Sequence, residues 1–116
     1  MTCCERGALR PARVAFWSFM AYFVVTEERG PSWDGSRERR EQDDWDAHAS
    51  FMDALTDEGF VVLGGPVGDD ERVLMVVDAE NRTDVEARPA RDPWMTMGIL
   101  RVGAIEPWEI LLDGRA

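Results

Sequence analysis

Hydrophobic and polar positions repeat along the chain with two different periods, which together predict four strands and two helices. Short apolar runs bounded by turn residues are typical of strands. A helix is predicted from Ser36, whose side chain can cap free amides, to Glu58, because Gly59 suits the left-handed position that ends a helix. A second helix is predicted at about residues 80–88. The predicted strands cover residues 21–26, 60–66, 73–78 and 99–112.

The order of these elements predicts the fold. Strand, helix, strand, strand, helix, strand is the ferredoxin-like βαββαβ arrangement, an α+β fold with an antiparallel sheet and both helices on one face. A hairpin turn at residues 68–71 joins the middle strands, and a short helical turn is predicted at 94–98. Pro107 falls inside the last strand and lacks an amide hydrogen, so that strand is predicted to lie at an edge or to bulge there.

The first helix carries an apolar stripe that contains a histidine. At 100° per residue, six residues fall within an arc of roughly 160°, which is typical of a core-facing helix. His48 lies near the middle of the arc and is predicted to point inward. Asp44, four residues earlier, lies at the edge of the arc and could reach the imidazole. The six residues are Trp45, His48, Ala49, Phe51, Met52 and Leu55.

The predicted strands are apolar on both faces. Tyr22 and Val24 alternate with Phe23 and Val25, and the third strand shows the same pattern. Because both helices cover one face of the sheet, the other face needs a different cover. The sequence therefore predicts a homodimer packed sheet to sheet.

Residues 1–19 are predicted to be an N-terminal extension, and residues 20–116 the domain. Arginines precede the apolar run 14–25 as in a signal peptide, but no small-x-small cleavage site follows. The run is also shorter than the roughly 20 residues that span a bilayer. Met20 directly precedes the first strand, so we interpret the extension as the result of an over-long start-site assignment.

Charge and cysteine content narrow the function classes. The 116 residues include 13 basic and 23 acidic side chains, a net charge of −10, which disfavours nucleic acid and anionic membranes as partners. Cys3 and Cys4 are adjacent and fit neither a disulfide framework nor a zinc site, so we expect no metal and a cytoplasmic location. Gly64, Gly65 and Gly68 lack the register of a phosphate-binding loop, so no cofactor is expected.

The stretch Trp45–Pro66, WDAHASFMDALTDEGFVVLGGP, resembles the signature of YciI-like (YCII-related) proteins, and the segment starting Asp92-Pro93-Trp94 resembles their closing part. The resemblance covers roughly residues 20–112. It implies a dimeric α/β-barrel fold and a His–Asp active site, which here would be His48 and Asp92. It does not imply one reaction, although one branch is a dehydrochlorinase that acts on a chlorinated hydroxyquinol.

The chemistry of such a pair can be stated from general principles. A histidine can be a neutral base near pH 7, and a carboxylate on one ring nitrogen fixes the tautomer and stabilises the imidazolium. General-base catalysis of this kind contributes about 10²–10⁴-fold. On residues alone, Asp44 and Asp92 both remain candidate partners of His48, and the resemblance favours Asp92. The expected function is a lyase or isomerase that moves a proton on a small aromatic or lactone substrate.

A substrate pocket is expected beside this pair. Its predicted walls are apolar side chains and a strand end, each of which also has a purely structural interpretation in the core or at a turn. The basic residues in the first part of the predicted helix are predicted to lie on its solvated face, and the sequence does not choose an arginine that would enter the pocket. The predicted wall residues are Trp45, Met52, Gly65, Pro66 and Trp94, and the arginines are Arg37, Arg39 and Arg40.

Two function hypotheses follow, and one distance separates them. The first is the enzyme just described. The second is a non-catalytic domain for small-ligand binding or dimerisation, with His48 as a satisfied core histidine and Asp92 as a turn former or helix cap. His48 and Asp92 within hydrogen-bond reach, beside a cavity, would support the enzyme. A histidine sealed among Trp45, Phe51 and Leu55 would contradict it.

Overall fold

The computed structural model describes residues 21–115. The predicted extension, residues 1–19, lies outside the described residues and stays a prediction. Cys3 and Cys4 lie in this segment, so the expectations about them also stay predictions. None of the helices among the described residues has the length and apolarity needed to cross a bilayer. Single 3₁₀ turns occupy Arg39–Glu41 and Pro89–Arg91. The strands are β1 (Ala21–Arg29), β2 (Val61–Val67), β3 (Arg72–Ala79) and β4 (Leu100–Pro107), and the helices are α1 (Trp45–Asp57), α2 (Arg82–Ala87) and α3 (Pro93–Thr96).

The four strands form one antiparallel sheet in the order β2-β3-β1-β4. The two strands joined through α1, β1 and β2, are separated by β3. The two joined through α2 and α3, β3 and β4, are separated by β1. This interleaving of two split βαβ units is the ferredoxin-like topology, so the predicted α+β fold is confirmed.

The core lies between the central strands and the helices. Phe23 and Val25 of β1 pair with Val77 and Met75 of β3, so all four side chains share one face of the sheet. They are buried together with Leu55 of α1, and the predicted stripe of α1 faces this core. The burial of these large apolar side chains is what fixes α1 against the sheet.

The first helix begins later than predicted. It starts at Trp45, not at Ser36, and the preceding residues form a loop with a single 3₁₀ turn. The cause is Gln42, which is 3% exposed: its side-chain amide bonds the backbone of Asp34 in both directions and the carbonyl of Arg37. These side-chain bonds satisfy the backbone in place of a helix. The helix ends at Asp57, one residue before the predicted end, and Gly59 has φ +84° directly after the C-cap residue Glu58.

The ends of two strands also differ from the prediction. β1 continues three residues beyond Thr26, to Arg29, because it is a central strand that pairs with β3 on one side and β4 on the other. β4 ends at Pro107, well before Leu112, and it lies at the edge of the sheet as Pro107 indicated. The irregularity in its pairing falls opposite Thr26 and Glu27, away from the proline.

The sheet face opposite the helices remains partly open. Leu63 and Leu74 are 55% and 42% exposed on it. The segment after β4 folds back along this face, where Trp108 donates its backbone N–H to the Tyr22 carbonyl. Apolar exposure of this kind fits the predicted sheet-to-sheet homodimer, which stays a prediction.

Candidate active site

His48 lies near the start of α1 and faces the sheet. Its backbone N–H donates to the Asp44 carbonyl in the first turn of the helix. The side chain is largely buried, and residue exposure is 7%, yet the ring still borders a cavity between α1 and the sheet. It is therefore not sealed inside the core.

Asp92 is brought to this histidine from 44 residues away by the turn between two short helical segments. Its two carboxylate oxygens lie 2.8 and 3.0 Å from His48 Nδ1, and the residue is completely buried. One of the oxygens also accepts the backbone N–H of Trp94, which makes Asp92 the N-cap of α3. The Asp92 side chain therefore does two things at once: it caps α3 and it bonds the His48 ring.

The contacts decide between the two aspartates considered for His48. Asp44 touches the histidine through its backbone, has φ 58°, and forms the N-cap position of α1 without a side-chain cap bond. Of these two aspartates, Asp92 is the one whose side chain bonds the ring. Because a carboxylate accepts hydrogen bonds, Nδ1 carries the proton of the neutral ring, and Nε2 on the opposite edge is the nitrogen with a free lone pair.

An aromatic cluster holds the histidine ring in its plane. Trp94 stacks on His48 with a centroid distance of 3.9 Å and an interplanar angle of 5°. Trp94 is fully buried, packs edge-on against Trp33, and donates its indole N–H to the Asp43 carbonyl. The expectation that Trp94 contacts substrate does not fit this burial, since it lies behind His48 and does not line the cavity.

The cavity has a volume of about 430 Å³ and opens to solvent on one side. Its walls come from α1, the Arg39–Glu41 turn and all four strands. Of the predicted wall residues, Trp45, Met52, Gly65 and Pro66 border it, together with His48. The walls are mainly apolar, and their polar side chains are Glu27, Arg39, His48, Asp53 and Thr56.

Arg39 is the arginine that enters this cavity. Its Nε donates at 2.8 Å to the carboxylate of Asp70, which lies in the turn between β2 and β3. Its guanidinium lies 5.1 Å from the Trp33 ring centroid. Arg37 instead pairs with Asp34 and Asp43 on the surface. The expectation that all these arginines lie on a solvated helix face is therefore wrong for Arg39, because the segment forms a loop that folds over the sheet.

Glu27 is a cavity residue that the sequence prediction missed. It lies on β1, is 2% exposed, and borders the same cavity as His48. Burial raises the pKa of Glu27 from 4.5 to about 7, the Asp92 charge adds to the rise, and Arg39 opposes it. The signal was present in the sequence: Phe23, Val25 and Glu27 follow the two-residue period of the inward face, but the predicted strand stopped one residue too early.

The described residues contain no group of three or more His, Cys, Asp or Glu side chains arranged to hold a metal ion. The ionisable side chains at the site, within residues 21–115, are the imidazole of His48, the carboxyl groups of Glu27, Asp53 and Asp92, and the guanidinium of Arg39.

A family model for the YCII-related domain matches residues 20–109. The chain belongs to the YCII-related family. The match begins directly before β1 and ends just beyond β4, so it includes every element that shapes the cavity.

A solved structure shares this fold. It is the 5-chloro-2-hydroxyhydroquinone dehydrochlorinase from Burkholderia phenoliruptrix AC1100, in complex with 2,5-dihydroxybenzoquinone, with a TM-score of 0.59 and 23% sequence identity. The similarity covers 76% of this chain and 93% of the dehydrochlorinase. A search of curated proteins gave no match.

Proposed function

We propose that this protein is a lyase or isomerase in which His48 is the general base and Asp92 orients and stabilises it. One observation carries the proposal: the imidazole that borders the cavity has its other nitrogen 2.8 Å from a buried carboxylate. The short distance between His48 and Asp92 thus favours the enzyme over the non-catalytic domain.

The proposed step is proton abstraction by His48 Nε2. The Asp92 carboxylate accepts from Nδ1–H and stabilises the positive charge that develops on the ring. Stacking on Trp94 keeps the ring from rotating, so Nε2 stays aimed away from Asp92. Base catalysis of this type contributes about 10²–10⁴-fold.

The cavity indicates the class of substrate. Its volume of about 430 Å³ and mainly apolar walls suit a single small ring. Arg39 places one positive charge at the wall, which suits an ionised hydroxyl or carboxylate on that ring. The dehydrochlorinase of the same fold has a small hydroxylated quinone in its complex, which supports small hydroxylated aromatics and lactones as the compounds to test.

The test is a ligand screen followed by a turnover assay. We expect 2,5-dihydroxybenzoquinone, hydroxylated aromatics or lactones to raise the melting temperature of the wild type and not that of His48→Ala. Ser50→Ala, on the exposed side of the same helix, is the matched control and should respond as the wild type does. Release of chloride from 5-chloro-2-hydroxyhydroquinone, or isomerisation of a lactone, is then followed directly.

The outcomes separate enzyme from binding domain. A hit that the wild type converts and that His48→Ala does not convert supports the proposal. Ligand stabilisation that is equal in the wild type and His48→Ala, without turnover of any bound compound, would contradict it and favour a non-catalytic binding domain.

We also propose that two copies pack through their open sheet faces. The exposed Leu63 and Leu74 lie on this face, and burying them is favourable. Sedimentation equilibrium should give twice the chain mass for the wild type and the single-chain mass for Leu74→Asp. A wild type that stays at the single-chain mass at micromolar concentration contradicts the homodimer.

A further inference from the structure

Glu27 is a buried cavity residue in which one carboxyl oxygen lacks the hydrogen-bond partner that burial normally requires. The residue is 2% exposed, and its Oε2 has no hydrogen-bond partner among residues 21–115. A buried carboxylate without hydrogen bonds is strongly unfavourable, and such a group keeps its proton instead. The inward position on a central strand therefore favours a neutral carboxylic acid.

The charges around Glu27 act in both directions, and Asp92 acts more strongly than Arg39. Asp92 faces it from the turn before α3 and disfavours a second negative charge. Arg39 faces it from the 3₁₀ turn and favours the carboxylate, but its guanidinium is shared with Asp70 at 2.7 Å. His48 on α1 borders the same cavity, and Arg29, two residues along β1, lies over the Trp33 ring, 4.8 Å from its centroid. The raised pKa of Glu27, about 7, agrees with this arrangement.

Glu27 and His48 approach the cavity from different sides. Glu27 belongs to the sheet that forms the floor, and His48 belongs to the helix that forms the wall. A ring held in the cavity could contact both a base and a proton donor. Two groups of this kind, with environments that separate their protonation states, are typical of sites that move protons on carbonyl compounds.

We propose that Glu27 is a second catalytic residue, which donates its carboxyl proton to the substrate oxygen on which negative charge develops when His48 removes a proton. The inference rests on the proposed lyase or isomerase function. In the step, the substrate C–H bond breaks and its proton forms a new bond to His48 Nε2. The carbonyl oxygen takes the Glu27 proton, which gives an enol, an imidazolium and a carboxylate.

The cycle closes without any further reactant. In an isomerisation, the imidazolium returns its proton to a different carbon while the enol hydroxyl returns its proton to Glu27. The substrate class is therefore an enolisable carbonyl compound, such as an unsaturated lactone or a ring ketone, with its carbonyl oxygen toward the sheet. A substrate that lacks such an oxygen would leave Glu27 unused.

The protonation state can be tested without any ligand. Infrared difference spectra of wild type and Glu27→Gln at neutral pH should show a protonated-carboxyl band that only the wild type contains. Diisopropylcarbodiimide, which reacts with protonated carboxyls, should label Glu27 through the cavity, and mass spectrometry should locate the adduct. Glu28→Gln, on the same strand but with its side chain on the other face, is the control and should keep both signals. An absent band or absent label overturns the proposal whatever the substrate screen gives.

The proton-donor role is then tested with the first compound that the wild type converts. Glu27→Gln should lower kcat by about 10²–10⁴-fold and should remove the alkaline limb of the pH profile, whereas His48→Ala should remove activity altogether. A Glu27→Gln protein with unchanged kcat and pH profile overturns this role even if the carboxyl is protonated. Because the spectroscopic signals need no turnover, a failure of the proposed function and a failure of this inference are distinguishable.

Discussion

The helix wall and the sheet floor of the cavity differ in how many hydrogen-bond partners their buried carboxyl groups have. In the helix wall, the Asp92 carboxylate bonds both the His48 ring and a backbone amide, and an indole covers the ring. In the floor, the Glu27 carboxyl is buried without a hydrogen bond from residues 21–115 to Oε2. The bonded wall is preorganised, and the floor keeps an unused hydrogen-bonding group. A ligand that enters the cavity can therefore gain most from the floor.

The largest effect is expected from Trp94→Ala, which removes the support behind the wall. Loss of a fully buried indole should lower the free energy of unfolding by about 4 kcal/mol, and it should abolish ligand stabilisation although Trp94 does not line the cavity. Trp45→Ala, at a half-buried cavity residue, is the comparison and should cost about 1–2 kcal/mol. Chemical denaturation measures both. An equal loss of unfolding free energy in Trp94→Ala and Trp45→Ala would contradict the idea that Trp94 supports the His48 ring from behind.

Asp92→Ala should follow, with a loss of about 3 kcal/mol, because the His48 Nδ1–H and the Trp94 N–H both lose a buried acceptor. Asn81→Ala removes an exposed N-cap of α2 and should cost about 1 kcal/mol. Urea denaturation of the two variants separates the cap from the histidine contact. A cost for Asp92→Ala no larger than that for Asn81→Ala would show that the ring contact adds little.

Glu27 should make the free energy of unfolding depend on pH. Its pKa is about 7 in the folded protein, against 4.5 as the ordinary value, so between these pH values the folded state holds a proton that the unfolded state has lost. The contribution of Glu27 to the free energy of unfolding is therefore complete below about pH 4.5 and falls as the pH rises. It is lost above about pH 7, and the total loss is at most about 3 kcal/mol.

The measurement is the difference between wild type and Glu27→Gln at several pH values. We expect the variant to be the more stable protein at pH 8 and to lose this advantage toward pH 5. Glu28→Gln, at the neighbouring position on the other face, should run parallel to the wild type. A Glu27→Gln curve that also runs parallel to the wild type would contradict a protonated floor.

The smallest effect on stability is expected at the rim, from Arg39→Met. The Arg39–Asp70 pair is partly solvated, with side chains 13% and 33% exposed, so its loss should change the free energy of unfolding by about 1 kcal/mol or less. Binding of the anionic 2,5-dihydroxybenzoquinone should nevertheless weaken, which calorimetric titration measures. Arg40→Met, outside the cavity, should leave binding unchanged. Equal binding in Arg39→Met and Arg40→Met would show that Arg39 does not contribute to ligand binding.

The sequence predicted the features of this fold that depend on local patterns. Periodicity placed His48 on the inward face of α1, and Gly59 marked the end of that helix. Asp92 came from the family resemblance alone, since 44 residues separate it from His48 and no local rule connects them.

Features that depend on distant contacts were missed. The start of α1 was wrong because one buried amide, Gln42, organises the preceding loop. Glu27 was missed because its strand is extended by two neighbours that the sequence does not place beside it. The face of a residue follows from its own segment, but the length of a segment depends on what packs against it.

The shared position of Asp92, which caps α3 and bonds His48, has a consequence for a mutational scan. Substitutions at Asp92 should reduce cellular abundance and activity together, because one side chain serves folding and proton transfer. Substitutions at Glu27 should separate the two readouts, since a neutral isostere keeps the protein abundant while activity falls. A scan that scores abundance and activity independently would thus mark the wall and the floor of this cavity as two different classes of position.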